Sequence, residues 1–138
     1  MNVYFDNAAT TKVRDEVIDD ISIVLKDCFG NPSSTHSFGR SAKSYIETSR
    51  KSIAKIINCD SSEIIFNSGG TESDNSILKC AVKDLGVRHI ISSKIEHHAI
   101  THTLDELELQ GVNVHYVKLT ENGNVDIDNL ENLLRLND

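Results

Sequence analysis

The stretch Ser68-Gly69-Gly70-Thr71-Glu72-Ser73-Asp74-Asn75 limits what this chain can fold into more than any other. It follows an apolar run, Glu63-Ile64-Ile65-Phe66, that reads as a short buried strand. It opens a segment in which Ile77, Leu78, Ala81, Val82 and Leu85 recur at helical spacing. A strand, a Gly-Gly turn and a helix start, in that order, aim backbone N–H groups and the positive end of a helix dipole at one point, which makes an anion site. Gly69 and Gly70 have no Cβ to hold a phosphate off the main chain. Thr71 adds a hydroxyl donor, whereas Glu72 and Asp74 must turn away from a bound anion. An ordinary glycine turn with a good N-cap fits the same spacing. The stretch is neither a Walker loop nor a Gly-x-Gly-x-x-Gly fingerprint.

Around this turn the apolar period switches regularly. Val13, Val17, Ile18, Ile21, Val24 and Leu25 form one stripe of a helix over 14–26, and Ala42, Tyr45, Ile46, Ile53, Ile56 and Ile57 mark a second over 40–57. From there the pattern predicts strands over 63–67, 88–92 and 113–118, alternating with helices over 71–85 and 97–109. Short turns between such elements argue βαβ units on a mainly parallel sheet flanked by helices, an α/β fold preceded by a helical segment. Asn122-Gly123 reads as a tight turn. Asp126 or Asp128 then caps a last helix, and Asp128 with Glu131 fits a capping box.

Two further stretches have the composition of a site. Gly30-Asn31-Pro32-Ser33-Ser34-Thr35-His36 holds the one proline of the chain and is dense in turn formers, as binding loops and plain connectors both are. Glu96-His97-His98-Ala99 lies just past the strand over 88–92, at the carboxyl end where open α/β sheets bind ligands. An imidazole there can stack on a flat ligand or move a proton. Paired surface histidines without a role fit the same pattern.

Composition narrows the class. In 138 residues, 38% are hydrophobic and 25% charged, which suits a globular domain rather than a disordered chain. The net charge of -7 comes without basic clusters, which argues against nucleic acid as a partner. No apolar run approaches the roughly 20 residues of a membrane span. The start of the chain lacks the basic and apolar regions of a signal peptide, so the expected location is cytoplasmic. Cys28, Cys59 and Cys80 suit neither a disulfide framework nor a zinc site, no metal site is expected, and Cys80 reads as a core residue.

Together with Asp6-Asn7-Ala8-Ala9-Thr10-Thr11, the three stretches resemble, in order and spacing, cysteine desulfurases of the NifS/IscS type within the class V aminotransferase group. The resemblance runs over essentially the whole chain. It implies part of the large domain of a fold type I transferase, with residues 1–60 as an N-terminal helical segment and 61–138 as the start of the cofactor-binding domain. It implies pyridoxal 5′-phosphate as cofactor, L-cysteine as substrate, and sulfur passed through an enzyme persulfide to an acceptor or scaffold protein for iron–sulfur cluster or thio-cofactor assembly. It also implies a homodimer. By resemblance Gly70 and Thr71 hold the cofactor phosphate, and His97 stacks on the pyridine ring and assists proton transfer. Asn7, Ala8, Ala9, Asn31 and His36 line the substrate side.

The chain departs from the family in one respect. The family's Schiff-base lysine lies in a Ser-x-His-Lys setting that is absent from these residues, and its nucleophilic cysteine and pyridine-pairing aspartate find no counterpart either. The chain therefore reads as the N-terminal part of such an enzyme, inactive alone. A non-catalytic α/β phosphate-binding fragment, or another class V member such as a selenocysteine lyase, are the alternatives. Apolar surface left uncovered by so short a chain leads to the expectation of self-association.

Overall fold

A computed structural model describes residues 2–136; Met1, Asn137 and Asp138 lie outside the described residues. The chain divides into two compact units, Met1–Ile65 and Phe66–Asp138.

The first unit is helical. Helix α1 (Asp15–Asp27) carries acidic Asp15 and Glu16 in its first turn and Lys26 in its last, charges that complement its dipole. The expected apolar stripe is present but uncovered: α1 has no buried residue, and Leu25 is 73% exposed. Helix α2 (Ser37–Ile57) begins three residues before its predicted start, because His36 caps it. It ends at Asn58, which takes the left-handed conformation (φ 56°) that asparagine tolerates at a helix end. A 3₁₀ turn, Ser61–Glu63, follows. It is closed by a capping box in which the Asp60 carboxylate accepts from Ser62 N–H (2.8 Å) and Glu63 reaches back to Asp60 N–H (2.7 Å).

The strand expected over 63–67 does not form. Glu63 belongs to the 3₁₀ turn, and the chain runs on to Gly69 without regular structure. A strand exists only through the ladder it shares with a neighbour, and no described segment pairs with this one. Ile65 is left 80% exposed. The run has the apolar content of a strand but no partner strand among the described residues.

The second unit is a β–α–β layer with helices packed on it. Helix α3 (Gly70–Lys83), strand β1 (His89–Ser92), helix α4 (His98–Leu109) and strand β2 (Asn113–Tyr116) follow one another. β1 and β2 pair in parallel, with His89 opposite Asn113 and Ser92 opposite Tyr116. This is the βαβ arrangement that the alternating periods imply. Val82 of α3, Leu107 of α4 and Val112 form the core, with Leu78, Ile90 and Val114 against it. Leu104 is fully buried.

Cys80 is exposed, not a core residue. It stands two positions before Val82, roughly 200° away around the helix, so the face that buries Val82 turns Cys80 outward.

After β2 the chain reverses through the expected Asn122-Gly123 turn, where Gly123 N–H donates to Thr120 C=O (2.9 Å). It then enters helix α5 (Ile127–Leu136). The cap of α5 is Asp126, whose carboxylate accepts from Asn129 N–H (3.0 Å); Asp128 already lies in the first turn, so the Asp128–Glu131 capping box is not formed. Among the described residues no helix is long and apolar enough to cross a membrane.

Leu104→Ala is expected to cost the folded protein about 2–5 kcal/mol. Leu109→Ala, at a position 91% exposed, should stay within about 0.5 kcal/mol. Urea unfolding of the two variants checks the pair.

Candidate functional site

Two helix N-termini define the site, and each is built by its local sequence. At the first, Gly69 has φ 154° and ψ −178°, a conformation essentially reserved for glycine. It turns the chain into α3. Helix geometry leaves the N–H groups of Gly70 and Thr71 without acceptors inside the helix. A Cβ built on Gly70 would meet nothing within 4 Å, so the space in front of the turn is open.

The polar side chains of the turn are committed elsewhere. The Glu72 carboxylate accepts from Ser68 N–H (2.7 Å) and Ser68 Oγ (2.6 Å), and these bonds, the hydroxyl's first, hold its pKa below the ordinary glutamate range. Asn67 accepts from Gly69 N–H (3.0 Å) and donates to Ser73 Oγ (2.6 Å). The acidic side chain that had to avoid a bound anion is thus tied to Ser68.

At the second N-terminus, His97 is the N-cap of α4. Its Nδ1 accepts from Ala99 N–H at 3.1 Å. A neutral ring whose Nδ1 accepts carries its proton on Nε2. The cap therefore fixes both the orientation and the tautomer of the ring.

Thr71 and His97, singled out from the sequence, come together on one open pocket of about 320 Å³, which is lined further by Asn75, His98, Ala99, His102, Thr103 and Glu106. Gly70 precedes Thr71 directly at the start of α3.

Asn75 locks this arrangement. Its Nδ2 donates to Thr71 C=O within α3 (2.9 Å) and reaches Ala99 C=O of α4 (3.5 Å). Its Oδ1 lies 2.9 Å from Thr103 Oγ1, which also lies 2.8 Å from Ala99 C=O, so the single hydroxyl hydrogen has two acceptors to serve. Thr103 is 4% exposed, where an unpaired hydroxyl would be costly. Neither Asn75 nor Thr103 was assigned a role from the sequence. The available signal was asparagine in a helix interior, where its propensity is poor.

Asn7, Ala8, Ala9, Asn31 and His36 belong to the first unit. Residues 7–9 form an exposed turn in which Ala9 N–H donates to Asp6 C=O (3.1 Å), and Tyr4 Oη braces it through Asp6 C=O (3.0 Å). Asn31 Oδ1 accepts from Ser33 N–H (2.9 Å), and Asn31 C=O accepts from Ser34 N–H (2.9 Å). His36 Nδ1 accepts from Gly39 N–H (3.4 Å). A Cβ on Gly39 would stand 2.3 Å from Ser34 C=O and 2.6 Å from Asn31 C=O, so the loop backbone lies directly on the first turn of α2.

Two of the thiols, Cys59 and Cys80, are poorly suited to nucleophilic attack. Cys80 is pushed up by its hydrogen bond to the Asp84 carboxylate, and Cys59 by desolvation and then by Glu63 and Asp60. Both shifts disfavour the thiolate, which is the reactive form. Lys94 holds its ammonium 5.6 Å from the centre of the Tyr116 ring, a cation–π contact.

The class of protein now follows. The Aminotransferase class-V family model matches residues 3–138, and the chain belongs to that family. Its members use pyridoxal 5′-phosphate, and the architecture is part of their fold type I domain.

Among individual relatives, the cysteine desulfurase IscS of Dictyoglomus turgidum is 47% identical over 135 residues, 96% of this chain and 34% of that protein. The putative cysteine desulfurase IscS 1 of Bacillus subtilis is 43% identical over 136 residues, 96% of this chain and 36% of that protein. Among solved structures, a NifS-like protein superposes with a TM-score of 0.92 at 39% identity, over 96% of this chain and 37% of its own. SspA in complex with cysteine gives 0.87 at 34% identity, over 97% and 39%. The chain spans about a third of the length of the curated relatives it matches.

Asn75→Ala is expected to cost about 1–3 kcal/mol, since it leaves the buried Thr103 hydroxyl with one acceptor fewer and breaks the α3–α4 tie. A double-mutant cycle with Thr103→Val, read by chemical denaturation, should return a coupling of about 0.5–3 kcal/mol.

Proposed function

We propose that this chain supplies the phosphate-and-ring corner of the cofactor site in a pyridoxal-phosphate-dependent cysteine desulfurase, which removes sulfur from L-cysteine, leaves alanine and passes the sulfur on from an enzyme persulfide. The observation that carries the reading is that Thr71 and His97 meet on one pocket at adjoining helix starts. The 41–47% identity to proteins named as cysteine desulfurases and the likeness to SspA in complex with cysteine support the choice of substrate.

The residues present fit the cofactor's chemistry. The open turn at Gly70 and the first-turn N–H groups of α3 suit a phosphate, and the Thr71 hydroxyl adds a donor. When bound, pyridoxal 5′-phosphate supplies an electron sink for charge that develops on the substrate carbon. His97 presents its ring to the pocket while Nδ1 remains on Ala99 N–H, so the proton it can give or hold is on Nε2. Asn75 keeps the Thr71 end and the His97 end in register through α3 and α4. Asn7, Ala8, Ala9, Asn31 and His36 are the residues proposed for the substrate side.

The 138 residues contain no Ser-x-His-Lys sequence, and the surroundings of Cys59 and Cys80 disfavour their thiolates. On this reading residues 1–138 alone release no sulfide from cysteine and retain the cofactor weakly, and activity belongs to the longer enzyme of which they form part. A sulfur-acceptor or scaffold protein is the partner proposed for that enzyme.

The test separates the two jobs of His97. In the longer enzyme, His97→Asn keeps a good helix cap but removes the ring. It should cut turnover with little loss of stability, whereas His97→Ala should cut turnover and also cost about 0.5–2 kcal/mol. Thr71→Val should lower cofactor retention, followed by absorbance after dialysis. Full sulfide production by His97→Asn, or by residues 1–138 alone, would overturn the reading.

The uncovered stripe of α1, with Val17, Ile18 and Ile21 each more than two-fifths exposed, supports self-association through apolar surface. Sedimentation of the chain should show a weight-average mass that rises with concentration. A constant monomer mass would count against it.

A further inference from the structure

We propose that His98 and His102 form a two-nitrogen site for a divalent transition-metal ion on the exposed face of α4. The two residues are four apart, the spacing that sets two imidazoles one above the other on a helix. Their rings stand side by side, with centroids 5.2 Å apart and planes 25° from parallel, and both residues are exposed. A metal about 2.1 Å from each of two nitrogens needs those nitrogens roughly 3 Å apart. Rotation about the terminal side-chain bond brings rings at this separation into that range, because it is the soft torsion of a histidine.

The surroundings decide in favour of a cation. His98 is the first residue of α4, where the helix dipole disfavours positive charge, but that effect fades within the first turn and His102 lies beyond it. Asp105 and Glu106 follow on the same helix, both exposed. Glu106 is tied to Lys79 at 2.8 Å, so its charge is offset and it is not a free ligand, which leaves Asp105 as the unpaired carboxylate nearest in sequence to His102 among the described residues. Among the described residues no group of three or more His, Cys, Asp or Glu is arranged to hold a metal. The pair therefore supplies two ligands and water completes the shell. Imidazole selects the ion class: copper, nickel and zinc, with copper(II) bound most tightly, rather than the oxygen-seeking magnesium or calcium.

The other histidine pair is a built-in control. His89 Nδ1 and His115 Nε2 lie 3.2 Å apart, with centroids 5.5 Å apart and planes 6° from parallel. Rings so nearly coplanar at that separation meet edge to edge, so the facing nitrogens are spent on each other and do not converge on a third atom. His98 and His102 line the same pocket as Thr71 and His97, so the test below uses metal ions alone, without cofactor.

The test uses the purified, untagged chain, titrated calorimetrically with copper(II) and with zinc and passed over immobilised nickel. Wild type should bind one ion and be retained. His98→Gln and His102→Gln should each weaken binding at least about tenfold, the lower end of what loss of even an outer partner costs a metal site. The double variant should elute unretained. His89→Gln/His115→Gln should match wild type. Circular dichroism confirms that the variants fold. Unchanged affinity in the His98→Gln/His102→Gln variant, or an equal loss in the His89→Gln/His115→Gln variant, would overturn the proposal.

Discussion

The side chain of Asn75 is the contact on which the second unit's pocket depends. Two helices that touch through apolar faces alone can slide by fractions of a residue, because dispersion is non-directional and individually weak. Hydrogen bonds are directional, and buried ones are expensive to leave unmade. Asn75 bonds its own helix at Thr71 and the neighbouring helix at Thr103 and Ala99. Thr71 and the residues just after His97 are thereby held by one amide group. The apolar core around Val82, Leu107 and Val112 holds the layers together, and the amide sets their register.

The two helix-capping histidines belong to the same economy of polar groups. His36 and His97 each accept, at Nδ1, from a backbone N–H of the helix they begin. A ring anchored at one nitrogen has one orientation and one free nitrogen, which makes it a directed group before any ligand arrives. Serine or aspartate would cap as well, but would leave nothing to present.

What the sequence revealed, and what it did not, divides along the range of the interactions involved. Helices α1 to α4 and strands β1 and β2 were legible because each carries its own apolar period. The start of α2 was placed late because histidine is outside the usual set of N-cap residues, so His36 gave no warning. The run at 63–67 misled for the opposite reason: its composition is that of a strand, but strand formation is a property of pairs. Asp126 and Asp128 offered two equivalent caps, and only backbone geometry chose the first. The glycine turn before α3 and the place of His97 just past β1 were readable as a pattern. The tie between Asn75 and Thr103, 28 residues apart, leaves no pattern in a single sequence.

The loop before α2 inverts the usual expectation about which positions tolerate change. Asn31 and His36 look like its chemically valuable residues, yet their directions are set by the backbone lying against Gly39, and similarly by Phe38 C=O lying 2.3 Å from where a Cβ of Gly30 would be. In a library of single substitutions, the two featureless glycines would therefore be the intolerant sites, since even one added methyl displaces main chain. Replacements at Asn31 and His36 that keep an acceptor for Ser33 N–H and Gly39 N–H would leave the loop's path intact and change what it displays. A map of tolerated substitutions across this segment would trace the close approach of two backbones rather than the chemistry of the side chains.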